Sequence, residues 1–339
     1  MSAVSFENVS IVFGDNPEAA LPLMDDGLER GEIQQETGQV LGVHNCTLAV
    51  EPGEILVLMG LSGSGKSTLL RAVNGLNPVA RGRVVVADGS NQVDVTHADS
   101  RTLRHIRLTQ IAMVFQQFGL LPWRTVRDNV GLGLELGGMS KSERAEKVDR
   151  QLELVGLADW ADRKVGDLSG GMQQRVGLAR AFVTDAPILL MDEPFSALDP
   201  LIRTRLQDEL LELQERLNRT IIFVSHDLDE AFKLGDKIAI MEGGRIVQWG
   251  TPRDIYTQPA NEYVADFVRH MNPLGVLCAR DVMEPADERA TGEIGPEDEI
   301  HEVIRSVLDS GVPVAVVEDG SPIGQISRKS VLARFLGEQ

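Results

Sequence analysis

The sequence predicts an α/β fold in which parallel strands carry a phosphate-binding loop, with an antiparallel portion, a helical subdomain and a small α+β module at the C-terminus. Three observations lead to this prediction. A glycine-rich segment at residues 60–68 directly follows a continuous apolar run, as expected after a buried parallel strand. Two later apolar runs, residues 188–191 and 221–224, are followed by acids and by a serine and a histidine. Between residues 117 and 180 the spacing of apolar residues becomes helical.

The glycine-rich segment reads G-L-S-G-S-G-K-S-T and fits G-x-x-x-x-G-K-[ST], the pattern of a phosphate-binding loop. Its residues are Gly60, Leu61, Ser62, Gly63, Ser64, Gly65, Lys66, Ser67 and Thr68. Glycines let backbone N–H groups close around phosphate oxygens, and the helix predicted at residues 68–73 presents further donors. Lys66 would neutralise the β- and γ-phosphates, and the Ser67 hydroxyl would ligate Mg²⁺. The alternative is a Gly/Ser-rich turn that contains a lysine by chance, which the strand before it and the helix after it disfavour.

Length and composition limit the class of protein. The 339 residues suggest two domains, and the formal net charge of -18 argues against nucleic acid as a partner. No apolar run approaches the roughly 18 residues of a membrane span, and the N-terminus lacks the features of a signal peptide. Cys46 and Cys278 fit no metal-ligand spacing, so we expect both to be buried or half-buried apolar residues. We expect a soluble, cytosolic protein that meets a membrane only through a separate partner.

Before the loop, the chain carries two predicted strands separated by an acidic segment. Residues 4–13 and 40–50 have strand patterns and would form the antiparallel portion. Between them, residues 15–39 hold seven acids and a single base, Arg30, and are interrupted by prolines and a glycine. We predict a solvated insertion with at most a short amphipathic turn of helix. Contact with a partner is the alternative.

After the loop, strands are predicted at residues 84–86 and 111–115, and Gln116 stands at the end of the second. Strand ends are where α/β sheets bind ligands, although simple surface exposure is the alternative for a lone glutamine. Residues 117–180 are predicted as a helical subdomain, because strand patterns disappear and residues 142–155 have apolar positions at helical spacing.

The second half holds the remaining candidate site residues. Residues 168–174 read L-S-G-G-M-Q-Q and lead into a helix, which indicates anion contact or only a helix N-terminus. The apolar run at residues 188–191 ends in Asp192 and Glu193, which suit a Mg²⁺ ligand and the polarisation of an attacking water. Two structural carboxylates are the alternative. His226 stands at the end of the next buried strand. We predict that it contacts the γ-phosphate; the alternative is a purely structural role.

These motifs occur in an order that resembles the ATP-binding subunit of ABC transporters: the phosphate loop, L-S-G-G-M-Q, I-L-L-M-D-E and the histidine at a strand end. The resemblance covers about residues 4–268 and implies a P-loop NTPase core of the RecA-like type. It also implies ATP hydrolysis with ATP and Mg²⁺ as cofactors. Because the site of this family is split between two subunits, it implies a homodimer.

The resemblance gives a role to each matching residue. Phe13 would stack on adenine, and Gln116 would link Mg²⁺ and the γ-phosphate to the permease contact. The implied catalytic residues are Glu193, His226, Gln116 and Lys66, and the implied metal ligands are Ser67, Gln116 and Asp192. The residues that would cap ATP on the opposing subunit are Ser169, Gly170, Gly171 and Gln173, with Asp199 at the cross-dimer contact.

The resemblance narrows to the glycine betaine/choline/proline branch of importers. Residues 13–43, 59–66 and 258–264 resemble that branch, and residues 115–126 resemble its choline-uptake members. This implies a peripheral ATPase on the cytoplasmic face of the inner membrane. It would power uptake of choline or glycine betaine through transmembrane permease subunits, and indirectly with a substrate-binding protein.

The permease contact is predicted at residues 117–130, directly after Gln116. The apolar side chains that would form it are Phe118, Leu120, Leu121 and Trp123. The alternative is that these side chains belong to the protein core.

A second unit is predicted at the C-terminus. The predicted domains are residues 1–250 and 278–339, joined by a linker at 251–277. The segments D-V-M, G-V-P-V-A-V-V-E-D-G and P-I-G-Q-I-S resemble a single CBS module. A lone module of this size is marginal in stability, so we predict that the tails of two chains pair with each other.

Two other functions stay open at this point. One is a non-transport ABC ATPase that acts on a macromolecular partner such as DNA or ribosomes. Such proteins tend to carry long coiled-coil inserts, zinc sites or a second cassette, and the sequence shows none of these. Its excess of acidic residues also disfavours binding to polyanions. The other is a nucleotide-binding regulator without turnover, which a steady-state ATPase assay would distinguish.

Overall fold

The computed structural model describes residues 1–116, 119–196, 198–269, 271–286 and 290–336. The chain divides into two compact units. The first is formed by Met1–His226 with Asp236–Val247, and the second by Asp227–Gly235 with the chain from Gln248 onward. Among the helices of the described residues, none is long and apolar enough to cross a membrane.

The first unit contains two sheets, except that residues 248–250 at the end of the last strand belong to the second unit. The strands are β1 Val4–Phe13, β2 Val40–Val50, β3 Ile55–Met59, β4 Arg81–Asp88, β5 Asn91–Asp94, β6 Ile111–Val114, β7 Ile188–Asp192, β8 Thr220–Val224, β9 Lys237–Glu242 and β10 Arg245–Gly250. One sheet has the strand order β10-β9-β3-β8-β7-β6, and its pairs from β9 to β6 are parallel. The other has the order β2-β1-β4-β5 and is antiparallel. The predicted α/β core with an antiparallel portion is confirmed.

Nine helices accompany these sheets in the described part of the chain before residue 226. They are α1 Leu21–Asp25, α2 Arg30–Thr37, α3 Lys66–Ala72, α4 Ser100–Thr109, α5 Val126–Val130, α6 Leu132–Leu136, α7 Lys141–Leu154, α8 Gly170–Phe182 and α9 Pro200–Leu217. Helix α7 begins at a capping box in which the side chain of Ser140 accepts from the Glu143 backbone.

The central parallel strands explain the continuous apolar runs in the sequence. Every residue of β3, β7 and β8 is buried. These strands share an apolar core with β1, β2 and β4 of the antiparallel sheet and with α3. Parallel strands end at the same edge, so the segments that follow β3, β6, β7 and β8 come together there. These segments carry the candidate site residues.

The acidic segment between β1 and β2 is mostly exposed, as predicted for a solvated insertion, but it contains two helices, so the prediction of at most a short amphipathic turn of helix is wrong. A 3₁₀ turn at Pro17–Ala20 and helices α1 and α2 bury Met24 and Ile33 in a small core with Val12 and Leu41. Each of these two side chains is at most 1% exposed, and such burial contributes about 1.5–3 kcal/mol. The acidic side chains lie on the outer faces of these helices, which explains why the composition of the segment is polar.

The predicted helical subdomain is confirmed. Helices α5 to α8 lie between β6 and β7 and share a separate apolar core. The core includes Val130, Val148, Leu152 and Val176, each at most 2% exposed. The helical spacing of apolar residues on α7 and α8 therefore predicted these helices correctly.

The second unit is an α+β structure, as predicted for the C-terminal module. Its elements are α10 Leu228–Leu234, α11 Pro252–Thr257, α12 Glu262–Val268, α13 Ala279–Val282, β11 Glu293–Ile294, α14 Ile300–Ser310, β12 Val314–Glu318, β13 Ser321–Ile326 and α15 Arg328–Leu336. The strands form a sheet of order β11-β12-β13. The resemblance to a CBS module stays a prediction.

Residues 251–277, predicted as a linker, form helices α11 and α12 of the second unit. Tyr256 packs against the apolar core of the tail. Arg253 donates to both carboxylate oxygens of Asp281, at 2.9 and 3.0 Å, and to Glu297 at 2.8 Å. These contacts fix the segment against the tail.

Candidate active site

A cavity of about 600 Å³ lies at the edge of the six-stranded sheet where β3, β6, β7 and β8 end. The predicted site residues that line it are Phe13, Ser62, Gly63, Gly65, Lys66, Ser67, Thr68, Gln116, Glu193 and His226. The lining residues that were not predicted are Arg30, Val40, Leu41 and Gly42. Residues of motifs far apart in the chain therefore line one cavity, and their roles stay predictions.

Two glycines of the phosphate loop are required by close backbone contacts. Gly60 has φ +138°, and a Cβ there would lie 2.1 Å from the Met241 carbonyl oxygen. Gly65 has φ +101°, and a Cβ there would lie 2.6 Å from the Gly42 carbonyl oxygen. Any larger residue would push the loop away from β2 and β9, so these positions keep the loop compact at the start of α3.

The Lys66 ammonium is held by the loop itself. Its Nζ donates to the carbonyl oxygens of Gly60 at 2.8 Å and Leu61 at 2.9 Å. Burial lowers the pKa of Lys66, while the charges of Glu193 and Asp192 act to raise it. The cation thus lies in the cavity wall close to the two carboxylates that end β7.

Asp192 lies fully buried behind the loop, and both of its carboxylate oxygens are occupied. Ser67 Oγ donates to Oδ1 at 2.6 Å, and Arg71 Nη2 donates to Oδ2 at 2.7 Å. Ser67 and Arg71 are four residues apart on α3, so they share one face of the helix. Arg71 was not predicted from the sequence, because its spacing from Ser67 shows only that the two share a helix face and not that this face meets β7.

Glu193 brings together the side chains at the ends of three strands. Its Oε2 accepts from Gln116 Nε2 at 3.2 Å and lies 3.6 Å from His226 Nδ1. The backbone of Glu193 is left-handed, with φ 49°, which for a non-glycine residue costs about 1–2 kcal/mol. A strained residue held by its surroundings at a cavity is a common sign of a functional position.

Nine predicted residues do not line this cavity. Four of them belong to the phosphate loop and the end of β7: Gly60, Leu61, Ser64 and Asp192. The other five lie at the starts of α8 and α9: Ser169, Gly170, Gly171, Gln173 and Asp199. Ser169 caps α8 by accepting from the Met172 backbone, and Asp199 caps α9 by accepting from the Ile202 backbone. Within one chain these residues form helix N-termini, and their predicted role toward a second subunit stays a prediction.

The predicted permease contact is only partly described, because Gln117 and Phe118 lie outside the described residues. Trp123 is 69% exposed, which excludes a core role for this side chain. Leu120 is half-buried and packs against the core of the helical subdomain.

Comparisons with known proteins agree with this fold. Residues 43–196 match the family model described as ABC transporter. The chain is 50% identical to the glycine betaine/proline betaine transport system ATP-binding protein ProV of Escherichia coli, over 82% of this chain and 69% of that protein. It is 38% identical to the glycine betaine/carnitine transport ATP-binding protein GbuA of Listeria monocytogenes, over 100% of this chain and 99% of that protein. The dimeric post-hydrolysis structure of the ATP-binding cassette MJ0796 with ADP and Pi has a TM-score of 0.64 and 30% identity, and covers 74% of this chain and 99% of that one.

The parallel sheet, the phosphate loop and the carboxylates at the end of β7 define an ATPase of the P-loop class. The identities above place it more closely: the chain belongs to the family of ABC transporter ATP-binding proteins.

Proposed function

We propose that this chain hydrolyses ATP with Mg²⁺ to power uptake of a quaternary-amine osmolyte, choline or glycine betaine, through a separate membrane permease. The observation that carries the proposal is the meeting of Glu193, Gln116 and His226 in the cavity that the phosphate loop lines. The names of the two curated relatives concern glycine betaine, proline betaine and carnitine, which all contain a quaternary ammonium group.

The residues present suit Mg²⁺. Ser67 Oγ and Asp192 Oδ1 are 2.6 Å apart, and Mg²⁺ is typically bound through one or two carboxylates together with substrate phosphates. No cluster of three or more His, Cys, Asp or Glu side chains in the described part of the chain could hold a metal alone, which fits a site completed by phosphate. Bound Mg²⁺ would neutralise charge on the β- and γ-phosphate oxygens. Lys66 Nζ would donate to the same oxygens.

Hydrolysis requires a water in line with the γ-phosphate and a group that accepts its proton. Glu193 would orient this water and take the proton as the water oxygen bonds to phosphorus and the bond to ADP breaks. Gln116 holds the Glu193 carboxylate from one side at 3.2 Å, and His226 would contact the γ-phosphate. Phe13, 38% exposed at the cavity, would stack on adenine.

A second copy of the chain would complete the site. Ser169, Gly170, Gly171 and Gln173 do not line the cavity of their own chain, and the glycines at the start of α8 leave backbone N–H groups free of side-chain cover. These donors would bind the γ-phosphate of the partner's ATP, with Asp199 at the dimer contact.

The permease would contact residues 117–130, where Trp123 presents an exposed apolar surface. We place the protein on the cytoplasmic face of the inner membrane, bound peripherally to permease subunits that receive substrate from a binding protein. The osmolyte itself would not touch this chain, because aromatic faces typically hold quaternary ammonium ions and only 4% of this sequence is aromatic.

Uptake of labelled glycine betaine and labelled choline, in cells with and without this chain, tests the proposal. We expect uptake of at least one of them to be lost without the chain and restored by wild type, but not by Lys66→Met. The substrate that is lost identifies the cargo. Unchanged uptake of both would contradict the proposal.

A melting experiment on the isolated chain tests the division of labour. Mg-ATP should raise the melting temperature by linkage, since it binds the folded state alone, whereas choline should not change it. A shift caused by choline without ATP would place the osmolyte site on this chain.

A further inference from the structure

Arg30 is a cation in the wall of the phosphate cavity that the inserted helix α2 supplies. Its Nη1 donates to the carbonyl oxygen of Gly63 at 2.5 Å, and its Nη2 donates to the carbonyl oxygen of Gly42. Gly63 belongs to the phosphate loop and Gly42 to β2. One side chain from the insertion therefore touches the loop and the strand beside it.

The position of α2 is fixed, so the guanidinium is held in place. The helix begins at a capping box in which the Glu29 backbone donates to the Glu32 side chain at 2.8 Å, and it ends at Gly38 with φ 70°. Ile33, fully buried, anchors its inner face. A cation on a rigid element loses little conformational entropy when it binds a ligand.

The charge of Arg30 is not balanced by the protein. Among the carboxylates of the described residues, none pairs with Arg30, and its Nε is buried without a hydrogen-bond partner. Burial lowers the pKa of Arg30. A half-buried guanidinium without an anion is costly, and an anionic ligand in the cavity would relieve that cost.

The neighbours of Gly42 indicate which part of a nucleotide Arg30 faces. A Cβ at Gly42 would lie 2.8 Å from the Phe13 ring and 3.0 Å from the Thr68 side chain. Gly42 therefore lies between the residue predicted to stack on adenine and the last residue of the phosphate loop. The phosphate nearest the ribose would pass this point.

We propose that Arg30 is a further nucleotide-binding residue, whose guanidinium contacts the phosphate chain of the bound nucleotide on its ribose side. The inserted helix then forms part of the nucleotide site. This rests on the proposed binding of ATP phosphates by residues 60–68. Because the contact lies on the ribose side, it serves ADP as well as ATP.

Calorimetric titration of the 339-residue chain with ADP, Mg-ATP and adenosine tests this inference. Arg30→Met removes the charge and keeps most of the side-chain length. We expect ADP and Mg-ATP to bind roughly 10-fold more weakly, as for loss of a charge-assisted hydrogen bond, while adenosine binding stays within twofold. Arg30→Lys keeps a cation and should recover part of the affinity. Added salt should reduce the difference in ADP affinity between wild type and Arg30→Met, because it screens the charge.

Arg81→Met is the matched control. Arg81 also holds the insertion, through Asp25 at 2.8 Å, but it does not line the cavity. Any of three results would overturn the inference. Arg30→Met could bind ADP with wild-type affinity, it could lose affinity for adenosine and ADP equally, or Arg81→Met could lose as much ADP affinity as Arg30→Met. If Lys66→Met weakens ADP binding and Arg30→Met does not, only this inference fails. If the wild-type chain binds no ADP, the proposed function fails as well.

Discussion

The ion pair between Arg71 and Asp192 gives the sharpest stability prediction. Asp192 is 0% exposed and Arg71 is 37% exposed, with 2.7 Å between Nη2 and Oδ2. Removing one partner of a fully buried pair costs about 3–5 kcal/mol. The partial exposure of Arg71 reduces this, so Arg71→Met should destabilise the first unit by about 2–3 kcal/mol. For a unit of this size, the melting temperature should fall by roughly 5–10 °C.

The assay is thermal unfolding of wild type, Arg71→Met, Asp192→Asn and the double variant. A double-mutant cycle should give a coupling energy of about 2 kcal/mol, because each single change leaves the other group without its partner. Excess Mg-ATP should raise the melting temperature of Arg71→Met more than that of wild type, since a bound cation at Asp192 replaces the missing charge. Arg83→Met, which breaks an exposed pair with Glu7, is the matched control and should change little.

Two results would refute this reasoning. A melting temperature of Arg71→Met within about 1 °C of wild type would mean that solvent replaces Arg71 at no cost. If the effects of the two single changes on the free energy of unfolding add up within about 0.5 kcal/mol, the two side chains do not stabilise each other.

Three further predictions concern the surface and the second unit. Trp123→Ala should lower osmolyte uptake while leaving ATP affinity unchanged, because the side chain is exposed; equal loss of both would indicate a folding defect. Arg253→Met should destabilise the second unit at neutral pH. Burial alone would raise the pKa of Asp281, but hydrogen bonds from Arg253 and Cys278 outweigh it and lower that pKa. The stability that the lowered pKa of Asp281 contributes is present above the unfolded pKa of about 3.8 and is lost as the pH falls through the folded pKa. In acid unfolding, the difference in stability between wild type and Arg253→Met should therefore become smaller below about pH 4. Leu332→Asp, at a side chain 59% exposed beside an apolar cavity of about 190 Å³, should weaken the ATP-bound dimer in sedimentation if two tails pair; an unchanged dimer would remove the tail from the interface.

The sequence predicted four of the six strands of the central sheet, β3, β6, β7 and β8, because most of their residues are buried, while β9 and β10 were not predicted. Continuous apolar runs such as those of β3 and β7 are typical of buried parallel strands, and the phosphate loop identifies the strand before it, β3. Residues at the ends of parallel strands meet without further information, which is why Gln116, Glu193 and His226 were placed in one site.

The insertion was not predictable in the same way. Its apolar residues Met24 and Ile33 lie on two short helices, so neither helix is long enough to give a clear period. Their burial depends on Val12 and Leu41 in the flanking strands. The contact of Arg30 with Gly63 joins residues 33 positions apart, and no local pattern encodes it.

The contact of Arg71 with Asp192 is a similar case, with 121 positions between the partners. The spacing of Ser67 and Arg71 placed both on one helix face, but only the structure brings that face to β7.

Single-turnover ATP hydrolysis by Glu193→Gln in the assembled transporter tests the central claim most directly. Glutamine keeps the shape of the side chain but cannot accept the proton of the attacking water. We predict that the variant binds Mg-ATP with near wild-type affinity and hydrolyses it at least about 100-fold more slowly. Hydrolysis at the wild-type rate would contradict the assignment of Glu193 as the group that activates water.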